Sequence, residues 1–373
     1  MRAVPGGSFR VAGEAAGGER VRLLPATGTY RVPPRPGTAR HERLEADVKA
    51  VRIHEYGGPE VLVYEDVPDP EPGPQQVLVR VEAATVNPVD VAVREDRFPT
   101  PKQPPKTIGS DGAGTVERVG EAVTEVHPGD EVLFSGLGVG SEGSYAELAL
   151  IAEAQAVPKP PSLSFIDAAA LGMVFPAAYY GLVTRGALRS GENVLVQGGA
   201  GGVGSASIQL AKALGARVLT TVSGAEAADL VRSLGADEVI DYKTENVVAR
   251  VRELTEGRGV DLVHELVISA NLPTDLELVA KGGRVVCTGQ GPSPEVSLPI
   301  GTAIAGDVTL LFMNLGNAGR AGVAAIMREV AAMAAAGTLH AVVGATLPLR
   351  EARRAHELLE GTHLGKIVLL PRT

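Results

Sequence analysis

Residues Val194–Gly224 read VLVQGGAGGVGSASIQLAKALGARVLTTVSG, and the texture of this stretch decides the fold. A β-branched apolar run enters a crowd of glycines, a helix-like pattern follows, and a second β-branched run closes the unit. Gly199, Gly201 and Gly204 are spaced G-x-G-x-x-G. Alone that spacing is weak, but after a strand and before a helix it is the dinucleotide fingerprint. The first glycine permits the tight turn, the second lets backbone approach a pyrophosphate, and the third lets helix and strand pack closely. Gly202 and Val203 open the helix, where free amide N–H groups and the helix dipole favour an anion. The competing reading, a glycine-rich turn with no ligand, is disfavoured by the alternation around it.

That alternation runs on from Asn193. Strand-like NVLVQ, ARVLTTV, DEVIDY, VDLVHEL and GRVVCTG are separated by amphipathic segments such as VGSASIQLAKALG and VVARVRELTEG. Apolar strands alternating with helices predict an α/β fold with a doubly wound parallel sheet. From Val48 to about Pro161 the texture differs. Short runs such as KAVRIHEY, QQVLVRVEAATV, AGTVERVG, DEVLFSG and SYAELALI, broken by Gly and Pro, predict a small irregular β-domain or barrel. DAAALGMVFPAAYYGLV reads as helical, and the tail PLREARRAHELLEGTHLGKIVLL reads as one helix and one strand. Residues 1–47 are rich in Arg, Gly and Pro without a sustained period, and read as a disordered N-terminal extension. A start lying upstream of the true domain is preferred here over a targeting role, because the segment is nearly without serine and carries acids.

The 373 residues exceed one ordinary core and suggest two domains, or one inserted in another. A net charge of −9 argues against a nucleic-acid binder. No uninterrupted apolar run is long enough to span a bilayer, and the N-terminus lacks a secretory h-region. A single cysteine, Cys287, excludes intramolecular disulfides and a multi-cysteine zinc site. Lying in the apolar run GRVVCTG, it reads as a buried, inert thiol. These features point to a cytoplasmic protein without membrane or nucleic-acid partners.

An NAD site usually places a carboxylate about 20 residues past the loop, on the ribose hydroxyls. Here Ser223 holds that position and the next acid is Glu226. Without a carboxylate to repel a 2′-phosphate, NADPH is the expected cofactor, with Ser223, Tyr242 and Lys243 as candidate contacts. Ser223 reads equally as an ordinary turn residue.

The runs GGPEVL, VNPVD, GSDGAGTVERVG, PGDEVL, AGGVGSASIQLAKALGA and GGRVVCTGQG resemble the zinc-independent quinone oxidoreductases of the medium-chain dehydrogenase/reductase superfamily. ELVISANLPTDLELVAKGGRVV is similar to the zeta-crystallin branch. The resemblance covers residues 48–373. It implies a GroES-like catalytic domain (48–172 and 317–373) interrupted by a Rossmann NADPH-binding domain (173–316), with the active site between them. It also implies a homodimer or homotetramer paired through the edge Asp307–Asn314. Positions that bear metal ligands in zinc-dependent relatives match Asn87, Ser110 and the vicinity of Met173, a poor zinc shell, so no metal is expected.

The implied reaction is hydride transfer from the nicotinamide to a quinone or similar activated carbonyl, with the protein orienting the cofactor and stabilising the developing oxyanion. Asn87 is the candidate catalytic residue, donating to that oxygen or positioning the ring; alternatively it is an Asn that sets a turn before Pro88. Asp90 reads as orienting its neighbours or as an exposed or capping carboxylate, and Tyr145 as packing with a cofactor-side contact. Thr288 and Gly289 end the fifth strand of the nucleotide domain, where such sheets bind ligands. Phe312 and Asn314 follow in the loop expected beside the nicotinamide. Lys366 is a candidate phosphate contact or else a solvated lysine. Family members often carry a tyrosine shortly after the NPVD motif; this chain has Ala92 and Phe98 there, which leaves solvent to supply the proton. Two rival readings stand beside quinone reduction. One is a reductase of 2-alkenals or enoyl thioesters, for which Arg94, Arg97 and Lys102 offer a faintly basic entrance. The other is a non-catalytic NADPH-binding protein.

Overall fold

The computed structural model describes residues 47–98, 100–361 and 363–373, so the expectation for 1–47 falls outside the described residues except at Asp47. Strand Gln76–Val86 is the spine of the β-rich part. Its alternating apolar residues Val77, Val79 and Val81 face a core shared with Phe134, Tyr145 and Ile151. It pairs antiparallel with Asp111–Val119, Leu148–Ala152 and Lys366–Leu370. The seven-stranded sheet built on it is completed by Glu131–Ser135, Val157–Pro158 and Val343–Pro348. A smaller sheet, Leu62–Pro68, Asp47–Ile53 and Lys106–Thr107, lies beside it. The chain therefore leaves this region after Pro158 and returns to it with Val343–Pro348 and Lys366–Leu370, a parallel pair joined by helix Ala352–Glu360.

Between departure and return lies a sheet of six parallel strands. Across it they run Glu238–Asp241, Arg217–Val222, Asn193–Val196, Val260–Glu265, Val279–Cys287 and Thr309–Phe312. This order is the doubly wound one, and its direction reverses between Asn193–Val196 and Val260–Glu265. Helices cover both faces, so central residues such as Leu195, Leu219 and Val263 are wholly buried. Each such side chain contributes roughly 1.5–3 kcal/mol by leaving water. Thr309–Phe312 is paired on one side only and forms the sheet edge, as expected for the segment 307–314.

Phe165–Arg185, which reads as helical in the sequence, is long and apolar enough to cross a membrane by length and composition alone. In the fold 67% of its most apolar window is buried inside the protein, as a core helix. Ala168 to Ala170 pack against Met327 of helix Gly319–Ala335 and the strands of the larger sheet.

Cys287 ends strand Val279–Cys287 at 5% exposure. Burial, and then the nearby acids Asp275 and Glu265, push its thiol up to about 12. A disulfide reagent at pH 8 should therefore leave the native thiol unmodified and titrate one thiol only after denaturation. Rapid stoichiometric modification of the native protein would contradict this placement.

Candidate active site

Strand Asn193–Val196 runs into Gln197, and Gly198 then turns the chain at φ +65°, a conformation that suits glycine. The left-handed residue thus stands one place ahead of the fingerprint and is not Gly199. Gly199 instead lies against the neighbouring strand, where a Cβ would come within 2.1 Å of Thr220 Oγ1. Gly204 packs as its spacing predicts, for a Cβ there would lie 2.3 Å from Gly198 O and 2.8 Å from Gly199 Cα. Gly201 leaves its outer side open, with only Gly198 O near. Gly202 and Val203 begin helix Gly202–Ala213. At Gly202 the returning chain comes close: a Cβ would meet Val174 Cγ1 at 2.8 Å and Lys366 Cδ at 3.3 Å.

The other expected cofactor residues line the carboxyl ends of the parallel strands. Ser223 follows Arg217–Val222, and Tyr242 and Lys243 follow Glu238–Asp241, both exposed. Asp241, which the sequence reading passed over, accepts the Gly224 N–H at 3.1 Å and the Lys243 N–H at 3.0 Å. A carboxylate therefore does stand near Ser223, supplied by the third strand instead of the second, with its oxygens turned to backbone amides. Gly289 lies tight against the loop after Glu265, since a Cβ would fall 1.9 Å from Leu266 O. In the edge loop, Phe312 is 64% exposed and Asn314 Oδ1 accepts the Gly316 N–H at 2.8 Å. Between them Met313 packs against the core of the parallel sheet.

Thr288 is held by His264, a buried histidine the sequence reading missed. Ser207 Oγ donates to Val203 O at 2.7 Å, so its 2.9 Å contact to His264 places the ring hydrogen on Nδ1. His264 Nε2 then accepts from Thr288 Oγ1 at 2.8 Å. Burial pushes this imidazole down to about 4, so it is neutral at pH 7. Beneath the glycine loop, Gln197 Nε2 donates to Asp275 Oδ1 at 2.8 Å, and Gln197 Oε1 accepts from Thr221 at 2.7 Å. Glu265 Oε2 and Asp275 Oδ2 are buried without another partner. Burial, with Glu265 beside it, pushes Asp275 well above the carboxylate range.

The densest polar cluster caps helix Pro88–Arg94, where the spine strand ends. Asn87 is 1% exposed and its amide is fully engaged. Nδ2 lies 3.2 Å from Thr85 O, 3.1 Å from Ser110 Oγ and 3.1 Å from Asp111 Oδ1. Oδ1 accepts from Lys366 Nζ at 2.6 Å, and because an ammonium only donates, this contact fixes which way the amide points. Asn87 is therefore not a free donor to a substrate oxygen, as one sequence reading had it: both its N–H groups are turned into the protein. Lys366 is not solvated either. It is 5% exposed, and its Nζ also donates to Val86 O at 2.9 Å.

Two carboxylates face this ammonium. Asp111 accepts from Thr85 Oγ1 and from the Met173 N–H, both at 2.7 Å. Asp90 accepts the Asn87 N–H at 2.9 Å and is buried, against the exposed alternative. Burial first, and then the Asp111 charge, raise it to about 7. Burial lowers Lys366, and Asp111 and Asp90 oppose that shift. Asn87, Ser110 and Met173 thus converge, brought together by the two acids and a lysine.

The remaining expectations fall outside this cluster or on its far side. Tyr145 is buried and donates to Asp90 Oδ2 at 3.1 Å. Phe98 packs against the core of the larger sheet. Arg94 is wholly buried, while Arg97 pairs with Glu95 and Lys102 with Glu142, so the three form no basic entrance. Among the described residues, no group of three or more His, Cys, Asp and Glu is placed to hold a metal ion.

Comparison with known proteins matches residues 73–161 to the alcohol dehydrogenase GroES-like domain and residues 202–340 to the zinc-binding dehydrogenase family. The chain is 36% identical to the quinone oxidoreductase of Rattus norvegicus over 327 residues, 87% of this chain and 98% of that protein. It is 32% identical to a 2-haloacrylate reductase from a Burkholderia species, over 87% of this chain and 99% of that one. The crystal structure of the Escherichia coli quinone oxidoreductase complexed with NADPH superposes with a TM-score of 0.80 at 29% identity, covering 87% of this chain and 100% of that one.

Two outcomes test this geometry. Gly204→Ala should push the helix from the turn and weaken dinucleotide binding at least tenfold in a fluorescence titration, with the fold retained by circular dichroism. His264→Gln should flatten the pH dependence of stability. As pH falls through 6.5 the unfolded chain takes up the proton that folded His264 refuses until about 4, so stability is lost across that window. Chemical denaturation at pH 7, 6 and 5 should show the wild type losing about 2 kcal/mol relative to the variant from pH 7 to pH 5, the larger part of it below pH 6; parallel profiles would contradict a buried neutral ring.

Proposed function

The chain belongs to the quinone oxidoreductase family of medium-chain dehydrogenases/reductases, and from that premise we propose that it reduces a quinone or similar activated carbonyl at the expense of NADPH, without a catalytic metal. The observation that carries this reading is the approach of the Lys366 side chain to the opening of helix Gly202–Ala213, whose N-terminal amides favour an anion: a Cβ at Gly202 would lie 3.3 Å from Lys366 Cδ. NADPH, when bound, supplies the hydride. The glycine loop, with its open side at Gly201, suits the pyrophosphate, and Lys366 suits an anionic oxygen beside it. Ser223, Tyr242 and Lys243 suit the 2′-phosphate, because the Asp241 oxygens are taken by backbone N–H groups. Thr288 and Gly289, with the Phe312–Asn314 loop, stand on the same carboxyl-end rim and are read as the nicotinamide side.

Asn87 acts here by holding Lys366 in place, and its amide, Ser110 and Met173 make a set of groups without the thiolate or imidazole that zinc prefers. The edge strand Thr309–Phe312, with exposed Ile300, Ile304 and Phe312 close in sequence, supports a homodimer paired through that edge. A cytoplasmic location and a small-molecule acceptor complete the proposal.

A second reading is reduction of an activated C=C bond, favoured by the likeness to the 2-haloacrylate reductase. That reaction protonates carbon, and within the cluster Asp90, raised to about 7, is the acid suited to hold such a proton.

The test is to follow NADPH and NADH oxidation by the purified protein with 9,10-phenanthrenequinone and with a 2-alkenal. NADPH with the quinone should be the fastest pair, and Lys366→Met should lower its kcat/KM by tenfold or more. Turnover with the alkenal alone would move the protein to the double-bond reductases. Silence with both acceptors, despite tight NADPH binding, would leave a nucleotide-binding protein.

A further inference from the structure

A line of buried hydrogen bonds runs from the surface of helix Ala352–Glu360 to the cluster around Lys366, and its donors and acceptors can be ordered. Arg94 is wholly buried. It donates from Nε to Gly57 O at 3.0 Å and from Nη2 to Glu95 at 2.6 Å and Glu360 at 2.8 Å. Its Nη1 lies 3.1 Å from His356 Nδ1. A guanidinium has donors only, so Nδ1 is the bare nitrogen of that imidazole and the ring hydrogen sits on Nε2. His356 Nε2 lies 3.3 Å from Tyr145 Oη, which it therefore supplies with a hydrogen bond. Tyr145 in turn donates to Asp90 Oδ2, which also accepts the Asn87 N–H. Asn87 Oδ1 receives Lys366. Tyr145 and His356 pack edge to face, with ring centroids 5.8 Å apart.

Every bond in the line points the same way, from Arg94 toward Asp90. It cannot conduct protons, because Arg94 does not release one to refill His356. What it can do is settle direction. A tyrosine hydroxyl beside both an imidazole and a carboxyl group can rotate to either, and here the imidazole offers a donor, so the hydroxyl turns to Asp90.

We propose that His356, its tautomer set by Arg94, is a positioning residue of the active site: it commits Tyr145 to Asp90, and so holds the Asp90–Asn87–Lys366 chain against the glycine loop. Burial supports the assignment, since it pushes His356 down to about 3 and Tyr145 well above its ordinary value, so both are neutral links at working pH. The charged groups around the line are Arg94, Glu95 and Glu360 at one end and Asp90, Asp111 and Lys366 at the other. The functional half of this inference rests on the reading that the glycine loop binds NADPH; the hydrogen-bond order does not.

Nitrogen-15 spectra of the full-length protein, labelled at its histidines, read the tautomer directly, with His356 assigned by its absence from His356→Gln. A neutral ring with Nε2 protonated, unchanged from pH 8 to pH 5, is expected; a protonated Nδ1 or an imidazolium at pH 6.5 would overturn the proposal. Steady-state kinetics with NADPH and 9,10-phenanthrenequinone then read the coupling. Tyr145→Phe and His356→Leu should each lower kcat about tenfold, while His356→Gln, which still accepts from Arg94 and donates to Tyr145, should regain at least a third of the wild-type value. Wild-type kcat in Tyr145→Phe, or equal losses in the Leu and Gln variants, would overturn the positioning role even if His356→Leu fails to fold. If the wild type turns over no acceptor, the proposed reaction fails on its own. NADPH affinity in the same variants, by fluorescence titration, then replaces kcat with the same expected order.

Discussion

Lys366 brings an ammonium group into a place only 5% exposed, and much of the surrounding structure follows from the need to compensate it. A buried ion left alone costs several kcal/mol, so its neighbours must be polar, close and themselves satisfied. Val86 and Asn87 supply oxygens, and Asp111 and Asp90 supply opposite charge. Each of these makes demands in turn. Asn87 needs acceptors for two N–H groups and finds them on Thr85, Ser110 and Asp111. Asp111 needs donors and finds Thr85 and the Met173 backbone. One charge thus ties together the end of the spine strand, the start of Asp111–Val119, the segment at Met173 and the returning strand. Deleting the ammonium would leave two acids buried without a cation, a loss on the order of 3–5 kcal/mol.

The parallel sheet solves a similar problem with neutral groups. His264 ties Thr288 to helix Gly202–Ala213 through Ser207, and Gln197 ties Thr221 to the Glu265–Asp275 pair. Such networks add little net stability when complete, but they allow one arrangement and penalise others. They sit where the strand order reverses, so the rim that meets a nucleotide is fixed from behind by side chains that never reach it.

The parallel sheet was legible because its evidence is local. Glycine spacing, β-branched runs and helical periods all lie within a few residues of one another, and the order of strands follows from general rules of connection. The rim residues Ser223, Tyr242, Thr288 and Gly289 were legible for the same reason, as the residues after strands. The polar cluster was only half legible. Asn87 and Lys366 stood out as residue types beside motifs, but their contact joins residues far apart in the chain, and no period reports it. Without it the sequence leaves open whether Asn87 donates to substrate or positions its neighbours, and whether Lys366 is solvated or buried. His356 did carry a signal, since it lies with Ala352, Ala355 and Leu359 at i, i+3, i+4 and i+7 along one helix stripe. A histidine on an apolar stripe has to be hydrogen-bonded from elsewhere, and what lies across from it is decided by tertiary packing. Asp241 is not legible in the sequence, because a side chain's direction at a strand end depends on the turn that follows.

The bond from Lys366 to Asn87 spans 279 positions of sequence. On the ribosome the spine strand and its helix cap emerge early, and their buried acids must wait for a counter-charge until the strand Lys366–Leu370 has been made. The strands of the parallel sheet between them lie in one stretch of sequence and pair with one another, so that sheet can form while the other region is still missing two strands. Loop closure over such a distance is entropically far less costly once the intervening chain is already compact, because the ends then have little left to search. The inserted domain thereby shortens the path that its host must close, acting during synthesis as a scaffold for the site it will later share.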